Sequence, residues 1–168
     1  IILFSFSLSS SIFISKSIDT SVIYDDTELE NIKLIENTYS IGYNLEVWKK
    51  KKVKYGVELG FDIIGNENVK FLSIHTIGKY ELSKKVFIWG LLGIDFFDHD
   101  FSLNNTQEYL PDKKGGETYG LGLTYVINKK IPLSIKYQII NFSEVSEDQW
   151  RDASFARTSI QLGYNFKD

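Results

Sequence analysis

From Val53 to Ile63 the side chains alternate without a break. Val53, Tyr55, Val57, Leu59, Phe61 and Ile63 form one series, and Lys54, Gly56, Glu58, Gly60 and Asp62 form the other. A period of two belongs to a β-strand with one apolar and one polar face, and an amphipathic helix cannot produce it. The pattern recurs. Tyr39, Ile41, Tyr43, Leu45 and Val47 alternate with Ser40, Gly42, Asn44 and Glu46, and Tyr119, Leu121, Leu123, Tyr125 and Ile127 alternate with Gly120, Gly122 and Thr124. Leu133, Ile135, Tyr137 and Ile139 alternate with Ser134, Lys136 and Gln138. Leu72 to Tyr80 is a weaker case, Val86 to Phe97 is apolar on both faces, and Ile18, Thr20, Val22 and Tyr24 suggest a first strand. With the C-terminal run that ends at Phe166, these segments predict eight strands.

Composition narrows the chemistry. Aromatic residues make up 15% of the chain and there are only two prolines, as suits a pleated surface. The net charge of -3 offers no basic field for nucleic acid, and the absence of cysteine removes disulfides, thiolate metal sites and a Cys nucleophile. Mean hydropathy is -0.15. The one long apolar run, Ile1 to Ser15, ends at Lys16 and is shorter than the roughly 20 residues a spanning helix needs. It is expected to be a signal-peptide remnant (residues 1–15) ahead of a single domain, 16–168, in a chain whose start lies upstream of Ile1.

The connections sort into two kinds that alternate along the chain. Lys49–Lys52, Ser83–Lys85 and Asn128–Lys130 are short and basic, whereas Asp25–Asn37, Ile64–Lys70, Asp98–Glu117 and Ser143–Ala153 are mostly longer, and all but the second are acidic. An up-and-down barrel in an outer membrane has this layout, with short periplasmic turns and longer extracellular loops. The faces point the same way. Eight strands enclose a space just wide enough for side chains, so small residues mixed with opposite charges suit the interior and the bulky face suits lipid. The predicted fold is therefore all-β, an eight-stranded antiparallel up-and-down transmembrane β-barrel. A soluble lipocalin-like ligand carrier, with its faces reversed, is the alternative.

Ile160, Leu162, Tyr164 and Phe166 alternate with Ser159, Gln161, Gly163 and Asn165, and the chain stops two residues later. This ending resembles the C-terminal recognition signal of bacterial outer-membrane barrels. Gly120-Leu121-Gly122-Leu123-Thr124-Tyr125 and Leu133-Ser134-Ile135-Lys136-Tyr137, joined by Asn128-Lys129-Lys130, resemble the penultimate hairpin of opacity-type and OmpA/OmpX-like small barrels. The resemblance implies residence in the outer membrane and contact with its lipid and lipopolysaccharide. It also implies assembly through the C-terminal strand (Ile160, Leu162, Gly163, Tyr164, Phe166) by the outer-membrane assembly machinery. Lys167 and Asp168 depart from the usual terminal aromatic.

The polar faces carry Glu46, Lys54, Glu58, Asp62, Lys79, Asp95, Lys136 and Arg157 with inward parity. Buried charge is costly unless paired, so these residues predict a lumenal ion-pair network and no wide pore. Tyr39 and Tyr119 at the loop end, and Tyr80, Tyr125, Tyr164 and Phe166 at the turn end, fit interfacial girdles. Candidates for catalysis are few. Ser73 and His75 share a face, but no acid is placed by sequence to orient the imidazole. Asp98-His99-Asp100 reads as the start of a solvated acidic loop and Gly115-Gly116 as a flexible turn, so no metal or cofactor is expected. The leading expectation is a monomeric structural or surface-interaction protein acting on an unknown ligand through its loops. A narrow porin-like channel and a lipid A-modifying enzyme are the other readings.

Overall fold

The computed structural model describes residues 9–24, 32–33, 38–64, 69–99, 115–145 and 150–166. Eight long strands follow one another: β1 (Ser9–Tyr24), β2 (Tyr39–Lys50), β3 (Val53–Ile64), β4 (Val69–Ser83), β5 (Val86–His99), β6 (Gly115–Asn128), β7 (Ile131–Val145) and β8 (Trp150–Asn165). Each strand pairs antiparallel with the next. β1 also pairs with β8, from Ser11 opposite Asn165 to Tyr24 opposite Ala153, so the sheet closes into a barrel. A two-residue segment, Ile32–Lys33, adds to the far end of β1. Two-residue turns at 51–52, 84–85 and 129–130 join the strands on one side. Lys51 opens the first with a left-handed φ of 54°, the conformation favoured at that position of a two-residue hairpin turn.

Among the described residues the first strand already includes Ser9, ahead of the expected boundary at residue 16. Ser9–Ser15 pair with β2, and Ser11–Ser15 pair with β8 as well. Within this stretch Ser11, Phe13, Ser15 and Ser17 are buried while Ile12 and Ile14 face outward. The run therefore has a strand period, disguised because serine is small and the outward residues are strongly apolar. Residues 1–8 lie outside the described residues.

Faces are distributed inside out relative to a soluble protein. Leu121 is 70% exposed and Leu92 66%, whereas His75 and Asp95 are fully buried. The lumen also holds bulk that alternation alone did not anticipate. Trp89, Leu91 and Ile77 pack together inside, and the rings of Phe71 and Phe155 meet edge to face at 5.6 Å. Trp89 and Leu91 resolve the doubly apolar segment, since they fill the interior while Ile88, Leu92 and Ile94 face out. Room for Trp89 comes from Gly122, where a Cβ would lie 2.2 Å from the indole.

The strands reach further toward the loop side than expected. β5 runs through Asp98 and His99, which pair with Lys70 and Val69. Gly115 and Gly116 form no flexible turn; they are strand residues opposite Phe96 and Asp95. β7 extends to Val145 and β8 starts at Trp150, so part of the expected fourth loop is also sheet. Bulges at the rim reset parity, and one between Glu46 and Trp48 turns Trp48 onto Tyr55 with ring centroids 5.3 Å apart. Trp48 thus joins outward-facing Tyr55, Tyr80, Tyr125, Tyr164 and Phe166 at the turn end.

A charge on the outward face should therefore be penalised according to depth. Leu121→Arg, at the middle of β6, should cost about 2–4 kcal/mol of stability in vesicles, and Ile127→Arg near the rim about 0–1 kcal/mol. Urea unfolding in lipid checks this. Equal, small effects at both positions would contradict burial of this face in a bilayer.

Candidate functional site in the barrel lumen

β3 sends Lys54, Glu58 and Asp62 into the lumen at four-residue intervals, about 13 Å apart along the strand. Each meets different partners, so the interior is organised in tiers. Toward the loop side, Arg157 of β8 holds Asp62 with both arms of its guanidinium: one terminal nitrogen donates to Oδ2 at 3.1 Å and the other to Oδ1 at 3.0 Å. Arg157 Nε donates to Ser17 and Nη2 to Ser40, while the Ser40 hydroxyl donates to Asp62 at 2.6 Å. The Arg157 guanidinium also lies over the Phe71 ring at 5.7 Å. A forked, doubly bonded pair supported by further hydrogen bonds is the arrangement that can repay desolvation.

The middle tier has more members. Lys136 of β7 donates to Glu58 at 3.1 Å. His75 lies between two carboxylates, with Nε2 2.8 Å from Asp95 and Nδ1 3.5 Å from Glu58. Asp95 in turn accepts hydrogen bonds from the hydroxyls of Ser73 and Thr118. Glu58, His75 and Asp95 are each no more than 1% exposed. Below them Trp89 Nε1 donates to Thr124, which bonds Ser134 at 2.8 Å. The third tier, near the turns, holds a single ion pair, Lys54 to Glu46 at 2.9 Å.

Seven of the eight residues with inward parity thus fall into three separate ion-paired groups. Lys79 stands apart: its ammonium lines a turn-side cavity with no direct ion pair or side-chain hydrogen bond among the described residues, and Glu58 and Glu46 act on it only from a distance. The sequence puts Ser73 and His75 on one face but does not by itself link His75 to Asp95 and Glu58. The link was in the register, for Glu58 is opposite His75 and Ser73 opposite Asp95. Ser73 and His75 do not form a nucleophile–base pair, because the Ser73 hydroxyl is spent on Asp95. No group of three metal-ligating side chains occurs among the described residues, and Asp100 lies outside them.

The C-terminal segment forms the closing seam. Ile160, Leu162, Tyr164 and Phe166 face outward, and Gly163 sits opposite Phe13 of β1. Phe166 N donates to Ser10 O at 3.0 Å, extending the seam past the end of β8. Residues 19–168 match the model of the OmpA-like transmembrane domain. The chain belongs to that family. Its members are barrels of the outer membrane, and that is where this OmpA-like protein resides. Among solved structures it resembles Ail, the attachment invasion locus protein of Yersinia pestis, at 18% identity and a TM-score of 0.57, over 96% of this chain and 99% of that one. Neisserial surface protein A gives 10% identity and a TM-score of 0.57 over 95% and 97%. A de novo designed transmembrane β-barrel gives 12% and 0.51 over 97% and 99%. At these identities the likeness is one of fold. No curated protein sequence matches.

Removing one member of the loop-side pair should be far worse than removing both. Arg157→Ala strands a buried Asp62 carboxylate and should cost about 3–5 kcal/mol, whereas Asp62→Asn with Arg157→Met should recover most of that loss. Unfolding midpoints of the wild type, the single and the double variant measure the difference. Equal losses in the single and double variants would refute it.

Proposed function

We propose that this OmpA-like barrel is a structural and surface-interaction protein that works through its extracellular loops. The observation carrying this reading is the sealed interior. Glu58, Asp62, His75, Asp95, Lys136 and Arg157 tie five of the eight strands together across the lumen and are at most 8% exposed, which supports a lumen filled by side chains over an aqueous channel. A scaffold closed in this way has its variable chemistry at its ends, where loops differ most among proteins of one fold.

The loop sequences indicate the character of a partner. Asp25, Asp26, Glu28, Glu30 and Glu36 outweigh Lys33 in the first loop, and Glu144, Glu147, Asp148 and Asp152 outweigh Arg151 in the last. Leu29, Leu34, Phe101 and Tyr109, which lie outside the described residues, add apolar contact. Such loops favour a cationic surface, or an anionic one such as lipopolysaccharide bridged by divalent cations. Ail has been solved with a heparin analogue, sucrose octasulfate. The acidic loops here set this chain apart from a direct binder of sulfated sugar. The barrel is read as a monomer whose C-terminal strand is engaged by the outer-membrane assembly machinery. With Ser73 bonded to Asp95, the lumen is read as non-catalytic.

Planar-bilayer recordings provide the test. The reconstituted protein should give no stable conductance steps, and cells displaying it should lose surface attachment when residues 25–37 and 100–114 are replaced by short Gly-Ser turns. Lipid A should be unchanged by His75→Ala. Large steady conductance from the wild type would instead establish the channel reading.

A further inference from the structure

The turn side of the lumen is open. A cavity of about 600 Å³ occupies it, lined by residues from all eight strands. That volume lies within the roughly 300–1,000 Å³ of small-molecule sites. Lys54 and Lys79 are direct cross-strand partners, so two ammonium groups face the same space. Like charges placed opposite each other on a sheet repel. Glu46 answers Lys54, and no carboxylate lies within ion-pair distance of Lys79 among the described residues. Lys49, Lys84, Lys85 and Lys129 line the mouth of the same cavity, and Glu46 is the only carboxylate in its lining. The remaining wall is partly apolar: Phe13, Ile77 and Phe87 all contribute to it.

This polarity is specific to one end. Each cation of the two deeper tiers sits on a carboxylate, Lys136 on Glu58 and Arg157 on Asp62. Structural bracing would call for the same pairing at Lys79, and it is missing there. An ammonium with no carboxylate in direct contact, facing a cavity with apolar walls, matches a ligand that brings its own negative charge and an apolar body. The ring of lysines at the mouth would attract such a ligand and raise its local concentration.

We propose that the turn-side cavity is a binding site for a small amphipathic anion, entering from the periplasmic face, with its acidic group between Lys54 and Lys79 and its apolar body against Phe13 and Ile77. The site is independent of the loop-side role, since the Glu58–Lys136 and Asp62–Arg157 tiers separate it from the extracellular end.

Titration of the full ¹⁵N-labelled chain in phosphatidylcholine nanodiscs tests the proposal, with 2-naphthoate as the probe and 2-naphthamide as its uncharged counterpart. Saturable shifts are expected at Phe13, Ile77, Lys79 and Phe87, and the amide should bind at least about tenfold more weakly. Lys79→Gln should weaken 2-naphthoate by a similar factor. Ile77→Trp, which fills the cavity without changing charge, should abolish binding. Retention of the heat-modified gel band verifies that each variant is folded, and Lys54→Gln provides a second charge variant if Lys79→Gln is not. Equal binding of acid and amide, shifts spread over the outward face, or undiminished affinity in a folded lysine variant would each overturn the proposal. So would inorganic phosphate competing as tightly as 2-naphthoate, because the apolar wall would then contribute nothing.

Discussion

A bilayer offers the backbone no hydrogen-bond partner, so each strand must be paired on both edges before the apolar face can enter lipid. In this chain that requirement is met at the seam between β1 and β8, which join the two ends of the sheet over the whole length from Ser11–Asn165 to Tyr24–Ala153. Everything else is conditional on that seam. The outward Ile, Leu and Tyr residues would be an aggregation surface on an open sheet with two free edges. The seam also accounts for the pattern of β8: Ile160, Leu162 and Tyr164 present lipid-facing bulk from the strand that completes the hydrogen bonding, and Phe166 adds one more bond, to Ser10.

Closure creates a second constraint, since eight strands enclose a space that side chains must fill. The apolar residues are committed to lipid, so the filling is largely polar, and polar filling needs partners. The structure meets this by putting acid and base on strands that lie across the lumen. Glu58 and Lys136 come from β3 and β7, and Asp62 and Arg157 from β3 and β8. Such pairs act as struts between walls that share no backbone hydrogen bonds. Hydroxyl groups complete them at low volume, as Ser17 and Ser40 do for Arg157 and Ser73 and Thr118 do for Asp95.

Which parts of this were legible follows from the range of each interaction. Strand periodicity is local, so β3, β6 and β7 and the inward parity of Glu58, Asp62, Lys136 and Arg157 could be read directly. Contacts between neighbouring strands, such as Glu58 with His75, needed the register, which a bulge like that between Glu46 and Trp48 shifts by one residue. Contacts across the lumen needed the closed barrel itself, and no spacing along the chain encodes them. The start of β1 is obscure in the sequence for a different reason. Ser9–Ser15 has lumenal serines in place of charges, and a strand whose polar face is merely small looks like a continuous apolar run.

The tiers also divide the molecule electrically. The buried cations of the two deeper tiers are matched locally, Lys136 by Glu58 and Arg157 by Asp62. The turn-side half keeps Lys79 without a direct partner beside an open space, and the basic turns at 51–52, 84–85 and 129–130 add to its positive charge. One barrel therefore presents two ends of opposite sign, separated by a packed zone of Trp89, Leu91 and the Glu58 and Asp62 pairs. On the proposed reading the two ends take up different chemistry on a single wall, with these packed side chains between them.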